Sequence, residues 1–135
     1  MTKKKDYSDI IKDNTLKIDQ IDDINVGPFK WLHEIIQQKK DKIKIDNIDY
    51  IIIKILNRNK KISRWKEKYF FDVIVIGTFR KSFSPTEKVS ILLSDFYLEM
   101  GILPNLIVLP KSIFIKNIQH YLNKIKNGVL IYERG

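Results

Sequence analysis

Cysteine is absent from the 135 residues, which excludes disulfides and thiolate metal centres and leaves a chain compatible with a reducing cytosol. Glycine is scarce too, and no glycine-rich phosphate loop can be drawn: Gly77 stands alone, while Gly101 and Gly128 stand where helices are expected to end. Long apolar runs are missing. The longest centres on Val73–Ile76, far short of a bilayer span. The start, Met1-Thr2-Lys3-Lys4-Lys5, is basic but leads into no apolar stretch, so it does not read as a secretory signal. The expected location is therefore the cytoplasm, with an organelle matrix also compatible. The two histidines, His33 and His120, fall on separate expected helices with no acid at ligand spacing, so no metal site is expected from them.

What is present is isoleucine, lysine and an uneven distribution of charge. The net charge is +9, yet nine of the eleven aspartates precede residue 50, so the first third is nearly balanced. From Lys54 to Lys88 ten Lys or Arg face three acids, which concentrates positive charge in the middle of the chain. Such a concentration suits a surface that meets polyphosphate or an acidic partner; the plainer alternative is a solvated, lysine-rich face. With 44% hydrophobic and 30% charged residues, the length fits one folded domain with a real core.

The pattern divides into an arm at 1–27 and a domain at 28–135. The arm carries Ile10, Ile11, Leu16, Ile18, Ile21 and Ile24 without strong periodicity, which predicts loose attachment and one short helix. Pro28 opens a helix to Lys40, with Trp31, Leu32, Ile35 and Ile36 on one face. After an Asp46-Asn47 turn comes a β-branched strand, Tyr50–Ile55, and then a second strand, Tyr69–Ile76, apolar enough to be covered on both faces. Ser84-Pro85-Thr86-Glu87 starts a helix to about Met100, followed by a strand at Leu106–Leu109, a helix from Ser112 to Lys126 and a terminal strand at Val129–Tyr132. The expected fold is α/β or α+β, a small mixed sheet flanked by helices.

Between the first two strands lies the most suggestive segment. Arg58, Lys60, Lys61, Arg64, Lys66 and Lys68 are interleaved with Trp65 and followed by Tyr69. Lysine and arginine neutralise phosphates and release counterions, and an aromatic ring offers a stacking face to an unpaired base. A Trp65 packed into the core among solvated lysines is the competing reading.

Tyr69-Phe70-Phe71-Asp72-Val73-Ile74-Val75-Ile76 resembles the metal-binding strand of the polymerase-beta-type nucleotidyltransferase superfamily. Gly101-Ile102-Leu103-Pro104-Asn105-Leu106-Ile107-Val108-Leu109-Pro110 resembles that family's next strand. The ending Ile125-Lys126-Asn127-Gly128-Val129-Leu130-Ile131-Tyr132-Glu133 resembles the close of its minimal members. The likeness covers roughly residues 48–135. It implies a nucleotidyltransferase-like fold in which the family's three acidic positions fall on Phe70, Asp72 and Asn105, and its Gly-Ser turn falls near Leu56-Asn57, with Asn57 the residue placed to meet a nucleotide.

Those departures matter chemically. Two-metal phosphoryl transfer needs clustered carboxylates to hold Mg²⁺ ions about 3.5–4 Å apart. One aspartate does not supply them, so the resemblance implies a member that has lost nucleotidyl transfer, needs no cofactor and serves as a nucleic-acid-binding or protein-interaction module. RNA is the expected nucleic acid, and a HEPN-type protein is the partner the family implies, as in toxin–antitoxin pairs. Two alternatives stay open. One is an active nucleotidyltransferase using Mg²⁺ at Asp72 with acids such as Glu87, Asp95 or Glu99. The other is a structural protein of a large ribonucleoprotein such as an organellar ribosome. Asp72 and Asn105 also have plain readings: an acid that pairs with a nearby lysine or caps a loop, and a residue at a strand's start after Pro104.

Overall fold

The structure is a computed structural model, and it describes residues 6–17, 26–45, 47–55, 71–78, 89–90, 93–95, 97–98 and 104–134. Its centre is a five-stranded mixed sheet. The strands are β1 (Thr15–Lys17), β2 (Ile48–Ile55), β3 (Phe71–Gly77), β4 (Asn105–Pro110) and β5 (Gly128–Glu133), in the order β1-β5-β2-β3-β4. β2 runs antiparallel to both β3 and β5, whereas β3 pairs with β4, and β5 with β1, in parallel. The helices are α1 (Tyr7–Asn14), α2 (Val26–Gln38), α3 (Lys40–Ile45), α4 (Lys111–Lys116) and α5 (Ile118–Ile125), with residues 89–90, 93–95 and 97–98 also helical. The mixed α+β class expected from the pattern is the class observed.

Strand alternation divides the core into two layers. Ile51, Ile53, Val73, Val75, Val129 and Ile131 face Leu32 and Ile36 of α2, with Val89 and Leu93 on the same side. Tyr50, Ile52, Ile74 and Ile76 face Ile11 of α1, Phe114 of α4 and Ile125 of α5. Because successive side chains of a strand point to opposite faces, a run such as Val73–Ile76 can be buried throughout only if both faces are covered. All four of those residues are buried. Burying a side chain of this size contributes roughly 1.5–3 kcal/mol, which makes the central strands the main source of stability.

Residues 6–17 are bound more closely than the loosely attached arm predicted for 1–27. Asp6 caps α1 by accepting a 2.9 Å hydrogen bond from the Asp9 backbone N–H. The helix then buries Ile11 completely, and β1 adds to the sheet edge in register with Gly128–Leu130. The apolar positions at Tyr7, Ile10 and Ile11 share one helical face, a pattern too short to stand out before the sheet beneath it is known. The remaining arm positions Ile18, Ile21 and Ile24 lie outside the described residues.

The single helix expected at 112–126 is two. Asn117, at φ −122° and ψ 43°, ends α4, and its side-chain amide donates to the Ile113 carbonyl while its own carbonyl accepts from Tyr121 to restart α5. Asparagine competes for helix carbonyls in this way, and the chain turns at it. Gly128 is likewise not the helix end expected. Asn127 takes the left-handed conformation (φ 64°), and Gly128 opens β5, where a Cβ would lie 2.6 Å from Ile52 Cγ2 and 2.9 Å from the Ile125 carbonyl oxygen. Glycine is there for close approach rather than for a positive φ. Asn47 (φ 61°) makes the turn into β2, as the Asp46-Asn47 pair predicts.

Candidate functional site

The register places two positions singled out in the sequence, Asp72 and Asn105, in one row with Lys54. Lys54 of β2 is opposite Asp72 of β3, and Asp72 is opposite Asn105 of β4. Alternation puts them on the face that carries Ile52, Ile74 and Ile107, beneath α5. Asp72 is only 6% exposed. Its Oδ1 accepts a 3.0 Å hydrogen bond from the Asn105 side-chain amide. A carboxylate this buried needs partners, since an unmatched buried charge is costly. Here an amide donor and a nearby ammonium supply them. Asn105 opens β4, as its plain reading expects, and its amide is a hydrogen-bond partner of Asp72 on the strand beside it.

Lys54 extends across the same face, and its ammonium donates to the backbone carbonyl of Asn123 in the last turn of α5. That carbonyl is one of the four a helix leaves without an internal partner, and a cation there is favoured by the helix dipole. The Lys54 pKa is pushed down. Burial is the largest cause, Asp72 acts in the opposite direction, and Lys124 and Lys126 push it further down. Lys124 and Lys126 are therefore close enough to act on Lys54, with Asp72 as the acid facing it. Positive charge gathers at this end of the sheet.

The basic connector joins the same end. Ile55 and Phe71 are the last paired residues of β2 and β3, so the segment 56–70 leaves and returns beside Lys54 and Asp72. Arg58, Lys60, Lys61, Arg64, Trp65, Lys66 and Lys68, together with Asn57 and Phe70, lie outside the described residues. Only the points between which they run are placed.

Of the alternative acids, Glu87 and Glu99 lie outside the described residues. Asp95 is exposed, on a segment whose Val89 and Leu93 pack against the opposite face of the sheet from Asp72. Among the described residues, no three carboxylates, imidazoles or thiols gather in one place. His120 is exposed on α5, with its ring edge-on to Tyr121 at 4.9 Å, and His33 is half-buried on α2.

At the far end of the sheet a second acid is organised differently. Asp49 Oδ2 accepts hydrogen bonds from the Thr78 hydroxyl at 3.0 Å and the Tyr7 hydroxyl at 3.3 Å, while Arg134 Nη1 lies 3.5 Å from Oδ1. The Arg134 backbone N–H also donates to the Asp49 carbonyl at 2.8 Å. Helix α1, the start of β2, the end of β3 and the end of β5 are tied at one residue. Burial, with the Asp49 carboxylate beside it, holds the Tyr7 hydroxyl well above the usual phenol range. Lys111 sits 4.7 Å above the same ring.

Sequence reasoning does not find Lys54, Lys124 and Lys126 as a group. Only Lys54 falls in the basic stretch of the sequence. The other two reach it because β5 pairs antiparallel with β2 and brings the end of α5 alongside. Comparison with family models, with curated proteins and with solved structures finds no match to this chain. Among the described residues, no helix is long and apolar enough to cross a membrane.

Proposed function

We propose that this chain is a nucleotidyltransferase-like domain that binds single-stranded RNA at the Asp72 end of its sheet and does not transfer nucleotides. The observation that carries the reading is the convergence of positive charge there. Lys124 and Lys126 each repel Lys54, which faces an aspartate held by the Asn105 amide. The connector with Arg58, Lys60, Lys61, Arg64, Lys66 and Lys68 departs from and rejoins that same end.

A phosphate backbone relieves this repulsion and releases its own counterions, and that release is the main source of nonspecific nucleic-acid affinity. The aromatic Trp65 within the connector would add stacking to an unpaired base. Asp72 has the role of holding the strand ends: its carboxylate is engaged by the Asn105 amide and faces an ammonium. The sequence resemblance supplies the fold family of the proposal, and the charge supplies its ligand.

The test is direct. Alanine at Arg58, Lys60, Lys61, Arg64 and Lys66 should abolish measurable binding of a short single-stranded RNA at physiological salt. In dilute salt it should flatten the dependence of affinity on ionic strength. Unaltered affinity and slope would reject the proposal. Incorporation of labelled nucleotide with Mg²⁺, lost in Asp72→Ala, would replace it with the enzymatic reading.

A further inference from the structure

Helix α5 divides by residue type into an inner and an outer side. Ile125 is buried, and Ile118, Tyr121 and Leu122 belong with it to one core layer. At the helical period those four share one side, which turns Gln119, His120, Asn123 and Lys124 to the other. All four of the latter are exposed. Gln119 and Asn123 are one helical turn apart, and so are His120 and Lys124. The outer face therefore carries a row of amides beside a row made of an imidazole and an ammonium.

Acid is missing from the whole stretch. Between Leu106 and Tyr132 there is no aspartate or glutamate, whereas Lys111, Lys116, Lys124 and Lys126 all fall within it. Lys124 thus has no acid on its own helix to form the i,i+4 pair that commonly supports a solvated helix face. The ion pairs Lys12–Glu133 and Arg134–Asp49 lie on other elements. The Lys54 ammonium meets α5 at the Asn123 carbonyl, with Lys124 and Lys126 close by. The last turn of α5 is thus continuous with the lysine cluster, and its outer face leads away from there.

The neutral groups on this face suit bases as the lysine suits phosphate. His120 lies against Tyr121 with ring centroids 4.9 Å apart and planes at 76°. A neighbour in that arrangement covers at most one face of the imidazole, and a base can lie on the other. Each amide pairs one donor with one acceptor, the pattern that adenine offers at N6 and N7.

We propose that the outer face of α5 is the base-contacting surface of the RNA site: Lys124 takes a phosphate, His120 stacks on an unpaired base, and Gln119 and Asn123 hydrogen-bond its edge, with adenine preferred. The inference rests on the reading that RNA binds at the Asp72 end, and it adds the grip on the base that lysine alone does not give. The lysine cluster fixes where the strand lies, and α5 decides which bases are retained.

The experiment compares oligoadenylate and oligouridylate of equal length by fluorescence anisotropy across a salt series. The parent chain should bind oligoadenylate about fivefold more tightly than oligouridylate. Gln119→Ala with His120→Ala and Asn123→Ala should weaken oligoadenylate about tenfold and bring the two RNAs to the same affinity. The salt slope should not change, because no ammonium is removed. The three positions are exposed and alanine favours a helix, so the variant should keep the parent's unfolding midpoint. If this variant binds as the parent does while the connector variant does not, the RNA reading stands and the α5 inference fails. If the parent binds neither RNA, both fail. Equal affinity of the parent for the two RNAs, or displacement by polyglutamate as effective as by RNA, would mark a general polyanion surface and would also overturn the inference.

Discussion

The two ends of this sheet each hold one aspartate, and they use it in opposite ways. Asp49 is surrounded by donors from several parts of the chain: Tyr7, Thr78 and Arg134 meet it at the start of β2. Asp72 has an amide partner, Asn105, and faces Lys54 within a set of lysines that outnumber it. The first end uses its charge to close the fold. The second leaves positive charge in excess, and excess charge at a surface is what a polyanion recognises. The comparison separates an aspartate that staples from an aspartate that moderates.

The largest effect should come from breaking the staple. Asp49→Ala removes the acceptor for two hydroxyls and the partner of Arg134, and should cost about 3 kcal/mol, given that hydrogen bonds to charged groups contribute about 1.5–3 kcal/mol each. Urea unfolding should show this as a lower midpoint at unchanged slope. RNA affinity, measured where the variant is folded, should stay the same. A weakened affinity would mean that the two ends are not separate.

A smaller loss is expected at the other end. Asp72→Ala leaves the Asn105 amide without its acceptor and should cost about 1–2 kcal/mol. The same change removes the negative charge facing Lys54, so RNA binding should tighten by about two- to fivefold, the scale of one screened charge near a phosphate. Equilibrium binding measured by fluorescence anisotropy decides this. Weaker binding would give Asp72 a direct role in holding the ligand and would erase the contrast with Asp49.

The smallest effects are those of alkaline pH, and the ends should differ in sign. The Tyr7 hydroxyl titrates above its ordinary value of about 10. The native state thus keeps a proton that the unfolded chain loses, and stability is complete below about pH 10 and falls as pH rises beyond it. Burial pushes Tyr50 and Tyr132 in the same direction. Lys54 is lowered, so between its native value and the ordinary lysine value of about 10.4 the unfolded chain holds the extra proton, and stability rises with pH across that window. Tyr7→Phe should reduce the alkaline loss, and Lys54→Met should remove the rise, both read from unfolding midpoints as a function of pH.

Much of the frame is legible in the residues. Val73–Ile76 announces a strand covered on both faces, and Asn47 a turn, because each pattern has few backbone solutions. What is not legible depends on pairing across the sheet. Asn117 is an ordinary polar residue within a helical pattern until its side chain takes the Ile113 carbonyl. Gly128 has the position of a helix stop, yet its constraint comes from Ile52, a residue 76 positions earlier in the chain. Lys124 and Lys126 belong to the site only through the β2–β5 register. Asp72 and Asn105 become neighbours only through the parallel β3–β4 register.

One measurement addresses the contrast most directly, because it alters total charge equally at each end. Lys124→Ala with Lys126→Ala removes two positive charges beside Lys54; Lys12→Ala with Lys111→Ala removes two at the Asp49 end. Affinity for a short single-stranded RNA would be measured for both variants across a salt series. The account predicts that the first variant loses about 1.4 from the slope of log affinity against log salt, at about 0.7 per phosphate contact on a single strand, while the second keeps the original slope. Equal losses in the two variants would show that total charge, not the Asp72 end, governs binding, and would contradict the account.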